Sequence, residues 1–344
     1  MVFNAETVEE LRTPACGYRN MSNFFNLDVY RDIKPDLIDV CDFTDPLSLN
    51  DAELFNGMHW TRFTSRNWEI PVIACSIYLV MIRLMKSCMR EQKPIRLTPV
   101  VICWNFGLSF FSFLGMIYCV PHLLFGPAGV ISEGFYPAVC QHASTYGHGK
   151  VGLFVFLFIY SKLAELLDTF WLLLRKSPVI FLHWYHHVTV LLYCWHAYSI
   201  RIGTGLWFAA MNYSVHAIMY FYFGLTQCGP TGKRVAKRFA MLITSLQLIQ
   251  MVMGIAVTVA SVYYHYMGEV CYVSLTNSAL GLIMYASYFV LFLQLFLSHY
   301  VYTKKPKRAL PGEKATCPPG DVAALNAAAD MVSMGRPVTR TKQN

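Results

Sequence analysis

The chain has 344 residues, of which 55% are hydrophobic, 15% aromatic and only 14% charged. Soluble domains carry roughly 25% charged residues, so this composition excludes an ordinary soluble globular fold and points to an integral membrane protein. The net charge of +8 is unevenly placed, with 6 Lys/Arg against 12 Asp/Glu in residues 1–69 and basic clusters in short loops further on, which favours membrane topology over nucleic-acid binding.

Residues 1–69 are polar and hold no long apolar run. No basic-then-apolar start with a cleavage site is seen, so no secretory signal peptide is expected. Asn20-Met21-Ser22 is a glycosylation sequon. From residue 70 onward, about seven runs are long and apolar enough to cross a bilayer, which takes about 20 residues each. They cover 70–88, 98–120, 151–174, 180–199, 205–226, 239–263 and 276–302, with Pro and Gly breakers between them. The expected fold is therefore an all-α polytopic membrane protein with three regions: a polar segment 1–69, a seven-helix domain 70–303, and a basic, disordered tail 304–344.

The loops set the orientation. Basic residues follow the first span (Lys86, Arg90, Lys93, Arg96), the third (Arg175, Lys176), the fifth (Lys233, Arg234, Lys237, Arg238) and the seventh (Lys304, Lys305, Lys307, Arg308). The alternate loops hold almost none. The positive-inside rule then predicts the N-terminus outside or lumenal and the C-terminus cytosolic, which puts Asn20 on the lumenal side. A second sequon at Asn212 falls inside the fifth span, out of reach of glycosylation. Of the eleven cysteines, none has zinc spacing; Cys75, Cys103 and Cys194 sit in apolar runs as small hydrophobes.

The most informative feature lies inside the fourth span. His183, His186 and His187 stand at i, i+3 and i+4, so their imidazoles share one helix face. Ionisable groups in a spanning segment are costly and mark functional sites. Three other spans also carry polar groups at helical spacing: Lys162, Glu165, Asp168 and Thr169 on the third, Asn212, His216 and Tyr220 on the fifth, and Gln247 and Gln250 on the sixth. At 1.5 Å per residue His186, Asp168, His216, Gln247 and Gln250 lie roughly 9–18 Å from the cytosolic ends of their helices. The convergence predicts a buried polar chamber open to the cytosol.

Plainer readings stand beside this one. Gln247 and Gln250 equally suit interhelical hydrogen bonding. Lys162 and Glu165 suit mutual neutralisation, and Tyr220 suits packing. The isolated His196, on the lumenal side, reads as a satisfied core histidine. A membrane di-iron desaturase or hydroxylase also uses HxxHH, but two irons need about eight histidines from several boxes and one box is present. A non-enzymatic seven-helix receptor fits the topology but needs no such cluster, and the chain has no Asp-Arg-Tyr after its third span. Acyl transfer by imidazole in a lipid tunnel remains, with Asp168 or Glu165 holding a box histidine and the basic loops (Arg175, Lys176, Lys233, Arg234, Lys237, Arg238) suited to coenzyme A phosphates.

The segments KLAELLDTFWLLLRK (162–176), FLHWYHHVTVLLY (181–193), MNYSVHAIMY (211–220), LQLIQM (246–251) and MYASYFVLF (284–292) together resemble the very-long-chain fatty-acid elongases, the ELO family of 3-ketoacyl-CoA synthases of the endoplasmic reticulum. The resemblance spreads over about 130 residues. It implies decarboxylative condensation of a long-chain acyl-CoA with malonyl-CoA, releasing CO2 and CoA, by a ping-pong route through an acyl-histidine. It also implies spans 2–7 forming a barrel around an acyl tunnel closed at the lumenal end. His186 would be the acyl acceptor with His216 facing it. His183 and His187 would orient the ring, move protons or polarise the thioester. Asn212 would donate to an oxyanion or enolate, and Gln247 and Gln250 would contact the thioester or pantetheine. Lys162, Glu165 and Asp168 would support the network, with Asp168 as the anionic anchor of the histidines. No metal or cofactor is required. The implied partners are membrane lipid, a second copy in a homodimer, and the reductases and dehydratase of the cycle. Trp184 in the box is similar to the subgroup acting on saturated and monounsaturated chains. Family members often carry a lumenal disulfide, for which Cys140 and Cys271 are on the correct side, although the loop holding Cys140 is longer than the family pattern.

Overall fold

A computed structural model describes residues 55–301. The sequon at Asn20, most of the polar segment 1–69 and the tail 304–344 lie outside these residues. Among the described residues the regular structure is helical, with one isolated β-bridge between Asn56 and His148.

A helix stands at every one of the seven expected runs. In chain order the helices are α1 (Gly57–Arg66), α2 (Glu69–Cys88), α3 (Thr98–Phe125), α4 (Phe135–Cys140), α5 (Gly149–Glu165), α6 (Leu167–Leu174), α7 (Phe181–Ser199), α8 (Gly205–Gln227), α9 (Gly229–Tyr266) and α10 (Leu275–Phe296). Four of them, α2, α3, α9 and α10, are each long and apolar enough to cross a membrane. The third run falls below that standard because it is broken into helices of 17 and 8 residues, and the fourth and fifth because their polar side chains, His183, His186, His187, Asn212 and His216 among them, lower the hydropathy.

Three differences from expectation have physical causes. The third run is two segments, α5 and α6, joined at Leu166, whose backbone stays helical (φ −59°, ψ −25°), so the second segment continues directly from the first. The break follows Glu165, whose carboxylate is held by Lys162. Next, α9 is 38 residues long, or about 57 Å, against a hydrocarbon core of about 30 Å. Lys233, Arg234, Lys237 and Arg238 therefore ride on the first turns of α9 rather than in a loop. Pro230 in the first turn and the left-handed Gly229 (φ 76°) make the sharp reversal from α8. Finally, α1 lies in the segment read as merely polar. It is a packed helix: Trp195 Nε1 donates to the Thr64 carbonyl (2.9 Å) and Tyr198 Oη to that of Gly57 (3.2 Å).

Helix neighbours close a ring in the order α3, α8, α9, α10, α7, α5 and back to α3, with α2 outside it against α6 and α7. Runs 2–7 thus form the ring and run 1 is peripheral. One end of the ring is capped. The disulfide Cys140–Cys271 joins α4 to the α9–α10 loop. Gly203 N donates to the Tyr272 carbonyl (2.8 Å), and Tyr272 N to that of Cys140 (3.3 Å). Only glycine fits at 203, since a Cβ there would sit 2.6 Å from the Gln141 carbonyl oxygen. Tyr146 Oη adds a bond to the Ile202 carbonyl (2.6 Å) and Trp207 Nε1 one to that of Ala138 (3.0 Å).

Candidate active site

At the uncapped end the ring encloses a cavity of about 190 Å³ walled by α5–α10. His183, His186, His187, Asn212, His216, Tyr220, Glu165, Asp168, Gln247 and Gln250 all line it. Four helices chosen from polarity and depth alone do bring these groups to one space. Lys162 and Thr169 do not line it; both are buried behind the wall.

The polar groups form two chains. In the first, Lys162 Nζ donates to Glu165 Oε1 (2.7 Å) and to Asn212 Oδ1 (3.2 Å), while lying 4.3 Å from the centre of the Phe158 ring. Both members of the ion pair are buried, so each charge depends on the other. Because Asn212 Oδ1 accepts from an ammonium, its Nδ2 faces His216 Nε2 (3.1 Å) and donates to it. His216 therefore carries its proton on Nδ1. The i,i+3 and i,i+4 spacings of Lys162–Glu165 and Asn212–His216 produce these contacts within single helices.

In the second chain, His183 Nε2 meets Thr169 Oγ1 at 2.8 Å, and Tyr78 Oη meets the same oxygen at 2.7 Å. His187 is buried with its ring edge-on to His183 (4.6 Å) and to His186 (5.5 Å). His186 lies against the Tyr288 ring, with centroids 5.0 Å apart. Tyr288 Oη in turn donates to the His186 carbonyl (3.3 Å). Among the described residues, Glu165 Oε2 and His187 Nδ1 are buried without a hydrogen-bond partner.

Asp168 departs from its expected role. It is not the anchor of the histidines: Oδ1 accepts from Trp104 Nε1 (2.5 Å) and Oδ2 from Tyr220 Oη (2.9 Å). It ties α6 to α3 and α8, and Thr169, the next residue, is the one that reaches the box. Asn212 is likewise partly committed, since one of its two amide hydrogens is spent on His216. Gln247 Nε2 contacts Met219 Sδ (3.3 Å).

The basic candidates lie outside the cavity wall. Arg175 Nη2 donates to Gln227 Oε1 (2.8 Å) and Lys176 Nζ to the Arg90 carbonyl (3.0 Å), so these two also have structural duties. Arg234, Lys237 and Arg238 are exposed on α9, and Lys233 is half-buried. Sequence reasoning missed Tyr78, Trp104 and Tyr288. Each is an aromatic residue with a polar atom in an apolar run, a weak signal that many packing residues share. His196 is satisfied, as read: its Nδ1 bonds Asn277 Nδ2 (2.8 Å). Among the described residues, no three His, Cys, Asp or Glu side chains are grouped so as to hold a metal ion.

Such a site offers four imidazoles, a buried ammonium–carboxylate pair and amide donors around an otherwise apolar cavity. That inventory suits nucleophilic and proton-transfer chemistry on an amphiphile. Comparison with known proteins is specific. A family model described as the GNS1/SUR4 family, ELO, matches residues 63–308. "Fatty acid elongase 3" of Trypanosoma cruzi is 39% identical over 269 residues, covering 72% of this chain and 89% of the relative. "Fatty acid elongase 3" of Trypanosoma brucei brucei is 40% identical over 279 residues, covering 75% and 92%. "Very long chain fatty acid elongase 4" of T. cruzi is 40% identical over 250 residues, covering 72% and 85%.

Proposed function

The chain belongs to the GNS1/SUR4 family, the ELO family of fatty acid elongases, and from that premise we propose how its chamber works. The protein is a multi-pass membrane enzyme that performs the condensing step of fatty-acid elongation, a 3-ketoacyl-CoA synthase acting on acyl-CoA. In our reading it crosses the membrane seven times, with α5–α6 as one span. The N-terminus is lumenal and the C-terminus cytosolic in the endoplasmic reticulum. The alternation of basic loops supports this orientation, and it places the chamber at the cytosolic end and the disulfide-linked cap in the lumen.

The reaction is ping-pong. An imidazole nitrogen of His186 attacks the thioester carbonyl carbon of a long-chain acyl-CoA. The C–S bond breaks, and the imidazole proton passes by way of a neighbouring histidine to the departing CoA thiolate. Malonyl-CoA then enters and loses CO2, and its enolate carbon attacks the acyl-imidazole carbonyl. The C–N bond breaks, 3-ketoacyl-CoA leaves, and the imidazole regains its proton from solvent, which balances the one carried off on the CoA thiol. His216, across the chamber on Asn212, moves protons through Nδ1. The remaining hydrogen on Asn212 Nδ2 donates to the oxyanion or enolate. Gln247 and Gln250 contact the thioester or pantetheine arm. Arg175, Lys176, Lys233, Arg234, Lys237 and Arg238 attract the CoA phosphates at the mouth. No step calls for a metal or cofactor. Trp184 favours saturated and monounsaturated chains. A homodimer and the reductases and dehydratase of the cycle are the expected partners.

The observation that carries this reading is the convergence of four histidines, from α7 and α8, on one cavity backed by the Lys162–Glu165 pair. The test is condensation of labelled malonyl-CoA with palmitoyl-CoA by the purified protein. We expect a 3-ketoacyl-CoA product two carbons longer, unaffected by iron and zinc chelators and absent in His186→Ala. Loss of product on chelation would contradict the metal-free route and revive a di-iron site; normal product from His186→Ala would end the nucleophile assignment.

A further inference from the structure

α2 stands outside the ring and lines none of the cavity, yet it reaches the histidine box. Tyr78, in the middle of α2, is 2% exposed and Thr169 0%. The Tyr78 hydroxyl lies 2.7 Å from Thr169 Oγ1, and Thr169 Oγ1 lies 2.8 Å from His183 Nε2. The direction of the two bonds follows from donor accounting. A buried tyrosine hydroxyl carries one hydrogen, and leaving it unpaired is costly. Tyr78 therefore donates to Thr169. With one lone pair so engaged, Thr169 turns its own hydrogen toward His183 Nε2. That nitrogen accepts, so the neutral ring carries its proton on Nδ1.

We propose that Tyr78 and Thr169 are positioning residues that hold His183 in the Nδ1–H tautomer, presenting a fixed hydrogen-bond donor to the reacting thioester. The proposal rests on the reading that the histidine box carries the condensation. It gives the box a division of labour. His186 supplies a nucleophile, and His183 supplies a donor to the carbonyl oxygen as that oxygen gains charge in both half-reactions. A donor aimed at developing charge acts more strongly in the transition state than on bound substrate. It also explains why a helix outside the ring carries a buried hydroxyl at the depth of the box: the relay crosses from α2 through α6 to α7, and α2 packs against both.

Steady-state kinetics of the full chain in proteoliposomes test it, with melting temperature as the control for folding. Thr169→Val is nearly isosteric but removes the donor. It should lower kcat by about tenfold to a hundredfold, the effect of losing one hydrogen bond to a buried group, while KM for palmitoyl-CoA stays unchanged. Thr169→Ser keeps the hydroxyl and should restore most of kcat, which a purely packing role would not. Tyr78→Phe should lose kcat in the same sense and by less, and it serves as the independent variant if Thr169→Val folds poorly. Wild-type kcat in both Thr169→Val and Tyr78→Phe, alongside an inactive His183→Ala, would overturn the relay and leave the box reading standing. Wild-type kcat in His183→Ala and His186→Ala together would overturn the box reading itself.

Discussion

The same helices build both ends of the ring, and they treat a buried histidine in opposite ways. At the capped end His196 is held by Asn277, which in turn accepts from Tyr193 Oη (3.2 Å) and is itself capped by Ser274. Its surroundings are covalently and locally closed by the disulfide and the inter-loop bonds. At the chamber end His183, His186, His187 and His216 share one cavity, and His187 Nδ1 and Glu165 Oε2 are without partners among the described residues. Burial alone does not mark function. What separates the two ends is whether the fold itself completes the hydrogen bonding of its polar groups. The apolar space differs as well. The cavity at the capped end is about 40 Å³ against about 190 Å³ at the chamber. Phe208 lines the smaller and Tyr285 the larger, and the two rings stack at 5.5 Å.

If that contrast is right, the largest effect belongs to the chamber. His186→Ala should cut condensation by about a thousandfold or more, with expression and melting temperature unchanged. Next comes the ion pair behind the wall. Lys162→Met leaves a buried carboxylate uncompensated and should cost about 3–5 kcal/mol of stability, read as a lowered melting temperature together with lost activity. At the capped end the sign of the comparison reverses. Opening the Cys140–Cys271 bridge as the double serine variant releases a loop spanning 131 residues of sequence. It should lower stability by about 2–5 kcal/mol and leave kcat of the surviving folded enzyme near wild type. Phe208→Ala should join the two cavities and lengthen the products, measured as the acyl-chain distribution from a mixed acyl-CoA pool. An unchanged distribution would mean that this pair does not bound the chain. The smallest effect is expected at His196. His196→Gln retains a hydrogen-bonding group and should change stability by about 1 kcal/mol and kcat not at all. A large kcat effect there would erase the distinction between the two ends.

Much of this contrast is legible in the sequence. Apolar runs separated by Pro and Gly mark where the long helices stand, since length and hydropathy are local properties. Polar residues at helical spacing within those runs place the chamber, because an unpaired ionisable group in an apolar segment has few other uses. What a one-dimensional pattern does not carry is the partner. Asp168 reads as the natural anchor of the histidines, yet it faces Trp104 and Tyr220 across the bundle, and the adjacent Thr169 makes the contact instead. One position along a helix turns a side chain by about 100°, so a face assigned from spacing alone does not resolve neighbours. α1 escaped because ten amphipathic residues beside a polar stretch leave no long apolar signal. The disulfide is implied by family likeness alone, and its pairing depends on how two loops far apart in sequence meet, which the third dimension decides.

The ping-pong route requires an acylated histidine in the chamber. Intact-protein mass spectrometry after incubation with palmitoyl-CoA, without malonyl-CoA, addresses it directly. We expect a gain of one palmitoyl group that maps to the peptide containing His186 and vanishes when malonyl-CoA is added. An enzyme that turns over normally yet shows no adduct, or one whose adduct maps to the capped end, would contradict it.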